Sequence, residues 1–90
     1  MASLIIRHKV KDFAAWKNAY DAHAGVRSAA GLGPGRVTRS IDDPSEVVII
    51  FDAGDVAKAK AFCASEDLKA TMQRAGVIDK PDLYFVDDAA

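Results

Sequence analysis

The sequence is poor in the residues that cross-link a chain or bind metal: it has one cysteine, Cys63, and two histidines, His8 and His23. A single cysteine cannot form an internal disulfide, and two histidines without cysteine or carboxylate at ligand spacing do not favour a zinc site. Charge is also nearly balanced, with 12 basic and 13 acidic residues and a formal net charge of −1. From the cysteine and histidine pattern we expect no bound metal. Because the charge pattern gives no basic surface, we also expect no nucleic-acid partner.

Long apolar runs are missing as well, and the N-terminus has no basic region followed by an apolar core. The sequence thus predicts neither a membrane-spanning helix nor a signal peptide. We therefore expect no membrane partner and a cytoplasmic protein. The 90 residues correspond to a single domain over 1–90, in which 86–90 is a frayed tail. A domain of this size buries only about 60–65% of the surface of its unfolded chain, so a homodimer would add stability.

The hydrophobic period first predicts a strand and then a helix. Over residues 3–10, apolar side chains and His8 alternate with more polar ones, which is typical of a strand with one buried face. Asp12 can cap a helix over 12–23 that could extend to 30. One stripe of this helix contains Phe13, Trp16, Tyr20, His23 and Arg27. If strand and helix pack together, both histidines could face a shared interior with acid–base capacity.

The middle of the chain predicts a hairpin. Glycine and proline in 31–35 end the first helix in a turn, and 36–41 is extended. After a second turn over 42–45, the strand 46–52 carries a continuous apolar run. Such a run predicts a central strand that is covered on both faces.

The C-terminal third predicts helix and then strand. Asp55 and Ser65 can cap two helices, or two halves of one bent helix, which Gly76 ends. Residues 83–86 form the last strand. The order β-α-β-β-α-β is the split, ferredoxin-like arrangement of the α+β class, in which a four-stranded antiparallel sheet carries its helices on one face.

The other face of this sheet would carry an apolar patch of Ile5, Val48, Ile50 and Tyr84. Monomers rarely expose such patches. Packing two copies face to face would bury it, and the sequence therefore predicts a homodimer.

Four segments together resemble a known group of proteins: HKVKDFAAWKNAYDAH, DDPSEVVIIFD, AKAFCASEDLKATMQRAGV and PDLYFVDD. They are similar to the dimeric α+β barrel superfamily and, within it, to small antibiotic biosynthesis monooxygenase-like and cyclase-like proteins. The resemblance covers nearly the whole chain. It implies a homodimeric barrel of two sheets, in which each subunit keeps a ligand cleft between its own sheet and helices.

The resemblance also suggests which chemistries to consider. Haem-degrading proteins of this fold use a first-strand asparagine and an iron-ligating histidine on the later helix. This chain has no histidine after His23, and its one asparagine, Asn18, lies on the first helix, so haem degradation is disfavoured. Cofactor-free members instead deprotonate a phenolic polyketide, which then reduces oxygen directly. That reaction needs a base, hydrogen-bond donors and an apolar cavity, and we expect no cofactor.

The candidate site follows from these needs. His8 and His23 are the candidate catalytic residues, although either could be a structural histidine, hydrogen-bonded in the core or at a helix end. The candidate substrate-binding residues are Trp16, Tyr20, Arg39, Phe51, Phe62 and Met72. The simpler interpretation of Trp16 is the largest core anchor of the first helix, with its indole N–H available to a ligand as the alternative. Among arginines that could clamp a carboxylate or phenolate, Arg39 is favoured over Arg27 and Arg36.

Three functions remain open from the sequence. The first is a homodimer that binds a small aromatic or polyketide-like ligand and catalyses cofactor-independent oxygenation, cyclisation or isomerisation. The second is a ligand sensor or carrier that uses the same cleft without chemistry. The third is an accessory subunit that docks another protein. Fold does not transfer activity, so the first is a hypothesis.

Overall fold

A computed structural model describes residues 2–89 as a four-stranded antiparallel sheet with four helices. The sheet has the strand order β2-β3-β1-β4. In chain order the elements are β1 (Ser3–Lys9), α1 (Phe13–Ala22), α2 (Ala24–Ala29), β2 (Leu32–Arg39), β3 (Glu46–Ala53), α3 (Val56–Cys63), α4 (Glu66–Arg74) and β4 (Asp82–Val86). The predicted α+β, ferredoxin-like arrangement and its β2–β3 hairpin are confirmed. No helix within residues 2–89 has the length and apolar character to cross a membrane.

Predicted caps begin three of the helices. The carboxylate of Asp12 accepts hydrogen bonds from the amides of Ala14 and Ala15, and Asp55 accepts one from the Lys58 amide at 3.0 Å. The Ser65 hydroxyl oxygen accepts one from the Leu68 amide at 3.2 Å. Because the chain leaves the helix and is capped again at Ser65, α3 and α4 are separate helices rather than one bent helix.

The first predicted helix is also divided. α1 ends at Ala22, the backbone of the next residue, His23, leaves the helical region at φ −101° and ψ 14°, and α2 follows as a short second segment. At the other end of the chain, Val86 belongs to β4 and not to a frayed tail. Residues 87–89 have no regular secondary structure, and residue 90 of the predicted tail lies outside the described residues.

The predicted turn over 31–35 is wrong in part. Gly31, at φ 80°, does end the helical segment, but β2 already begins at Leu32 and runs through Pro34 and Gly35 with an irregularity in its pairing to β3. The physical reason is a close approach across the sheet. Gly35 lies against the Tyr20 hydroxyl and the Phe51 ring, and only a residue without a side chain fits there.

We expect Gly35→Ala to lower the free energy of unfolding by about 1–3 kcal/mol, since a Cβ there would lie 2.5 Å from a Phe51 ring carbon. Urea denaturation measures this loss. Gly25→Ala is the matched control, because a Cβ at Gly25 in α2 meets nothing within 4 Å. The control should be neutral or stabilising by up to about 1 kcal/mol. Equal stability of the two variants would contradict the close packing at Gly35.

The sheet has one covered and one open face. Alternate residues of β1 and β3 are buried beneath the helices and form the core with Trp16 and Ala59. The intervening residues of β3 are partly buried or exposed, and Ile50 is 37% exposed. The prediction that β3 is covered on both faces therefore does not hold within one chain.

The open face carries the predicted apolar patch. Ile5 of β1 pairs with Ile50 on one side and with Tyr84 on the other, so these side chains are contiguous across three strands. Tyr84 is 55% and Val86 43% exposed. We call the set formed by Ile5, Val48, Ile50, Tyr84 and Val86 the open apolar face.

A charged cluster borders the open apolar face. The Arg7 guanidinium donates hydrogen bonds to Asp82 (Nε–Oδ2 2.7 Å) and to Asp79 (Nη2–Oδ2 3.1 Å), and Glu46 lies 3.7 Å from its Nη1. Asp79 also accepts a hydrogen bond from the Lys9 amide at 2.7 Å. The loop before β4 is thereby attached to β1 on both sides of His8.

Candidate functional site

A cavity of about 350 Å³ lies between the covered face of the sheet and the helices. This volume is in the range of pockets that hold small-molecule ligands. The exposed residues Val26, Asp67 and Arg74 belong to its lining, so the cavity reaches the surface. Its lining also includes seven of the eight predicted site residues: His8, Trp16, Tyr20, His23, Phe51, Phe62 and Met72.

His8 projects from β1 into this cavity. It is the one buried polar residue among those described, only 2% exposed, and neither of its ring nitrogens has a hydrogen-bond partner in the protein. Burial lowers the pKa of His8, an effect that Asp79 opposes and Arg7 reinforces electrostatically. The imidazole is therefore neutral at pH 7, with one nitrogen able to donate and the other able to accept a hydrogen bond. An unpaired buried polar group is costly, which favours a bound molecule with a polar atom at this position.

His23 occupies the junction of α1 and α2. Its Nδ1 lies 3.0 Å from the Ala19 carbonyl oxygen. A carbonyl can only accept, so Nδ1 carries the hydrogen and Nε2 holds the lone pair in the neutral ring. His23 thus offers a second potential proton acceptor on the cavity lining.

A continuous aromatic wall extends from His8 along the cavity. The ring of Trp16 packs edge-on against His8 at a centroid distance of 5.6 Å and stacks on Tyr20 at 5.1 Å, and Tyr20 in turn lies 6.3 Å from Phe51. Such a wall suits a planar aromatic ligand. Burial raises the pKa of Tyr20, a shift that Arg27 and Lys17 oppose, so the Tyr20 hydroxyl stays protonated at neutral pH and can donate.

Arg39 is the one predicted site residue that the structure does not bring to the cavity. Its guanidinium lies over the Phe13 ring, 4.3 Å from the centroid, and its Nε donates to the Pro44 carbonyl at 3.0 Å. Arg27, which the sequence ranked lower, lines the cavity instead. The signal was present in the sequence, because Arg27 continues the helix stripe of Trp16 and Tyr20.

Other reactive groups add little to the site. Burial raises the pKa of the Cys63 thiol, which disfavours the nucleophilic thiolate. Within residues 2–89, no group of three or more histidine, cysteine or acidic side chains is arranged to hold a metal ion.

The burial of His8 predicts a pH dependence of stability. Because its folded pKa lies below the ordinary value of 6.5, the unfolded chain takes up a proton first as the pH falls. The contribution of neutral His8 to the free energy of unfolding is fully present above about pH 6.5 and is lost as the pH falls from there through the folded pKa of His8. We expect the free energy of unfolding to be lower at pH 5 than at pH 7, and His8→Leu to flatten this difference.

Urea titrations at the two pH values measure this effect. Asp79 also stabilises the fold through its own titration: desolvation opposes the shift, but the Lys9 amide and Arg7 lower the pKa of Asp79 below 3.8. The contribution of Asp79 to stability is lost only as the pH falls below about 3.8, so it does not obscure the difference between pH 5 and pH 7 that we assign to His8. An unchanged pH difference in the His8→Leu variant would contradict the assignment to His8.

Solved structures with this fold were found across the whole chain, whereas no protein-family model and no curated protein matches the sequence. A protein from Bordetella bronchiseptica assigned as an antibiotic biosynthesis monooxygenase aligns with a TM-score of 0.81 at 16% identity, over 99% of this chain and 97% of that one. SnoaB, a cofactor-independent oxygenase from Streptomyces nogalater, aligns with a TM-score of 0.70 at 15% identity, over 98% and 94%. A conserved protein from Methanosarcina mazei Go1 aligns with a TM-score of 0.74 at 10% identity, over 98% and 92%.

The chain therefore has the fold of the antibiotic biosynthesis monooxygenase-like proteins, and the resemblance noted in the sequence is confirmed at the level of the fold. At identities this low, the likeness carries no activity or ligand over to this chain. What the chain does must be argued from the cavity and its residues.

Proposed function

We propose that this chain acts as a homodimer that binds a planar, phenolic aromatic molecule in its cavity and promotes the reaction of that molecule with oxygen, without a cofactor. The observation that carries the proposal is His8, a buried, neutral imidazole with two unpartnered nitrogens beside an apolar cavity. A general base must be neutral to accept a proton and must be able to reach its substrate. The lowered pKa of His8 favours the first condition, and its position in the cavity lining supports the second.

The reaction can be written for a hydroxylated anthrone, a tricyclic ketone whose CH2 group is acidic because its anion is a phenolate. His8 accepts a proton from this CH2 group and becomes an imidazolium beside the carbanion. The carbanion reduces O2 and forms a C–O bond, which gives a hydroperoxide after protonation. Loss of the second hydrogen from this carbon with cleavage of the O–O bond releases water and leaves a quinone. Anthrone and O2 thus become anthraquinone and water, with four electrons passing from the carbon to oxygen.

The cavity supplies the other requirements of this reaction. The aromatic side chains in the lining can contact the ring system, and the Tyr20 hydroxyl can donate to an oxygen that gains charge. Apolar side chains such as Ile49 and Phe62 exclude water around the carbanion. His23, with its fixed Nδ1–H, provides a lone pair on Nε2 that can accept a proton in a later step.

The open apolar face is the reason for proposing a homodimer. Ile50, Tyr84 and Val86 leave between 37% and 55% of their surface exposed in the single chain. A second copy that packs its own sheet against this face would bury the patch and leave the cavity, on the opposite side of the sheet, open to ligand.

Oxygen uptake with 1,8-dihydroxyanthrone tests the catalytic part of the proposal. We expect the protein to accelerate oxygen consumption and the appearance of quinone absorbance above the rates in buffer and with an unrelated protein. If the protein binds the anthrone but its oxidation proceeds only at the rate in buffer, catalysis is overturned and the carrier function is favoured. Absence of binding would count against the cavity as an aromatic site.

A further inference from the structure

Arg27 is placed to recognise a negative charge in the cavity. It lines the cavity from α2 and is half-buried. Its guanidinium lies over the Tyr20 ring, 3.6 Å from the centroid, and its Nη1 donates to the Tyr20 carbonyl at 2.6 Å. These two contacts hold the planar group in one orientation and leave several of its five N–H donors unused.

Among residues 2–89, Arg27 has no carboxylate partner. Asp21 acts on Arg27 electrostatically but forms its ion pair with Lys17, with 2.6 Å between the Lys17 Nζ and the Asp21 Oδ1. The cavity lining also contains one further cation, Arg74, and one anion, Asp67, both exposed at the surface on α4. A half-buried cation without a counter-ion costs desolvation energy, which an anionic ligand would offset.

The aromatic wall links Arg27 to His8. The contacts run from His8 to Trp16, from Trp16 to Tyr20 and from Tyr20 to Arg27. His8 and Arg27 stand at opposite ends of this run of contacts, and both line the cavity, so a flat molecule in the cavity can meet the imidazole with one part and the guanidinium with another. The two polar groups therefore specify two different substituents on one ring system.

We infer that the ligand is an aromatic acid, whose carboxylate pairs with the Arg27 guanidinium while its ring system lies in the cavity between Arg27 and His8. The inference rests on the proposed function in that it uses the same cavity and narrows the class of ligand. Arginine recognises carboxylates through paired N–H donors, and such charge-assisted bonds are stronger than neutral ones. The carboxylate fixes the orientation of the ring system, so the reacting carbon is presented to His8 in one pose.

Calorimetric titration with two matched probes tests this inference. Naphthalene-2-carboxylate and naphthalene-2-carboxamide have the same planar shape and differ in charge. We expect the native protein to bind the carboxylate at least about ten-fold more tightly than the amide, which corresponds to roughly 1.4 kcal/mol. In Arg27→Gln the ratio should fall to near one, and Arg27→Lys should restore part of it. Arg39→Gln, outside the cavity, should keep the native ratio.

The outcomes separate this inference from the proposed function. Equal affinities of the native protein for the two probes, or a ratio that Arg27→Gln leaves unchanged, would overturn the pairing with Arg27 and leave an aromatic cavity intact. If neither probe binds the native protein at millimolar concentration, the aromatic site itself is contradicted, and the proposed function with it. Because the first comparison uses the native protein, it does not depend on whether a variant folds.

Discussion

Replacing His8 by glutamine is expected to lower the rate of anthrone oxidation by a factor of about 10² to 10⁴, the usual contribution of a positioned general base. Glutamine keeps a polar side chain of similar length but has no basic nitrogen, so it can hydrogen-bond to the ligand without accepting its proton. Binding of the ligand should therefore change little. Oxygen uptake gives the rate, and calorimetry gives the affinity.

Two further variants make this result specific. His8→Leu removes a buried group whose two nitrogens have no partner in the protein. At pH 7 the free energy of unfolding of this variant should therefore equal or exceed that of the native protein. Loss of activity in a variant that is at least as stable cannot be attributed to unfolding. If His23→Gln loses activity and His8→Gln does not, the base is His23 and the assignment to His8 is wrong.

Replacing Ile50 by lysine is expected to dissociate the homodimer. Ile50 belongs to the open apolar face and pairs with Ile5 on the adjacent strand. In a symmetric interface each substitution occurs twice, so two ammonium groups would lose water in the same contact. We expect the dissociation constant to rise by a factor on the order of 10² or more. Sedimentation of the protein at micromolar concentration distinguishes monomer from dimer.

Ile41→Lys is the matched control for the dimer. Ile41 is 97% exposed and follows the end of β2, outside the open apolar face. This change should leave the association state as it is. A native protein that is monomeric at micromolar concentration, or an Ile50→Lys variant that remains dimeric, would contradict packing through this face.

Much of the candidate site followed from local sequence patterns. The alternation over β1 grouped His8 with the apolar residues of the strand, and the helix stripe grouped Trp16, Tyr20 and His23. The structure brings these four residues together in the cavity lining. Strict periods of two and of about 3.6 residues depend only on backbone geometry, so they can be read without knowledge of the fold. The role of these residues in catalysis stays a prediction.

The arginines show where local reading fails. Arg27 and Arg39 both fitted a helix or strand pattern that could point inward, and the sequence favoured Arg39. The choice depends on where each long side chain ends, and this is set by neighbours distant in sequence. Arg39 finds the Phe13 ring and the Pro44 carbonyl, whereas Arg27 folds over Tyr20 beside the cavity.

By itself, the sequence determined the order of strands and helices and the caps at Asp12, Asp55 and Ser65, but it left open the side of β1 on which His8 lies. Only the tertiary structure decided that His8 has no partner, that Arg27 lines the cavity and that Gly35 continues a strand. The first set follows from interactions between residues a few positions apart. The second depends on contacts between elements that the chain brings together only when the sheet forms, and no local pattern records those contacts.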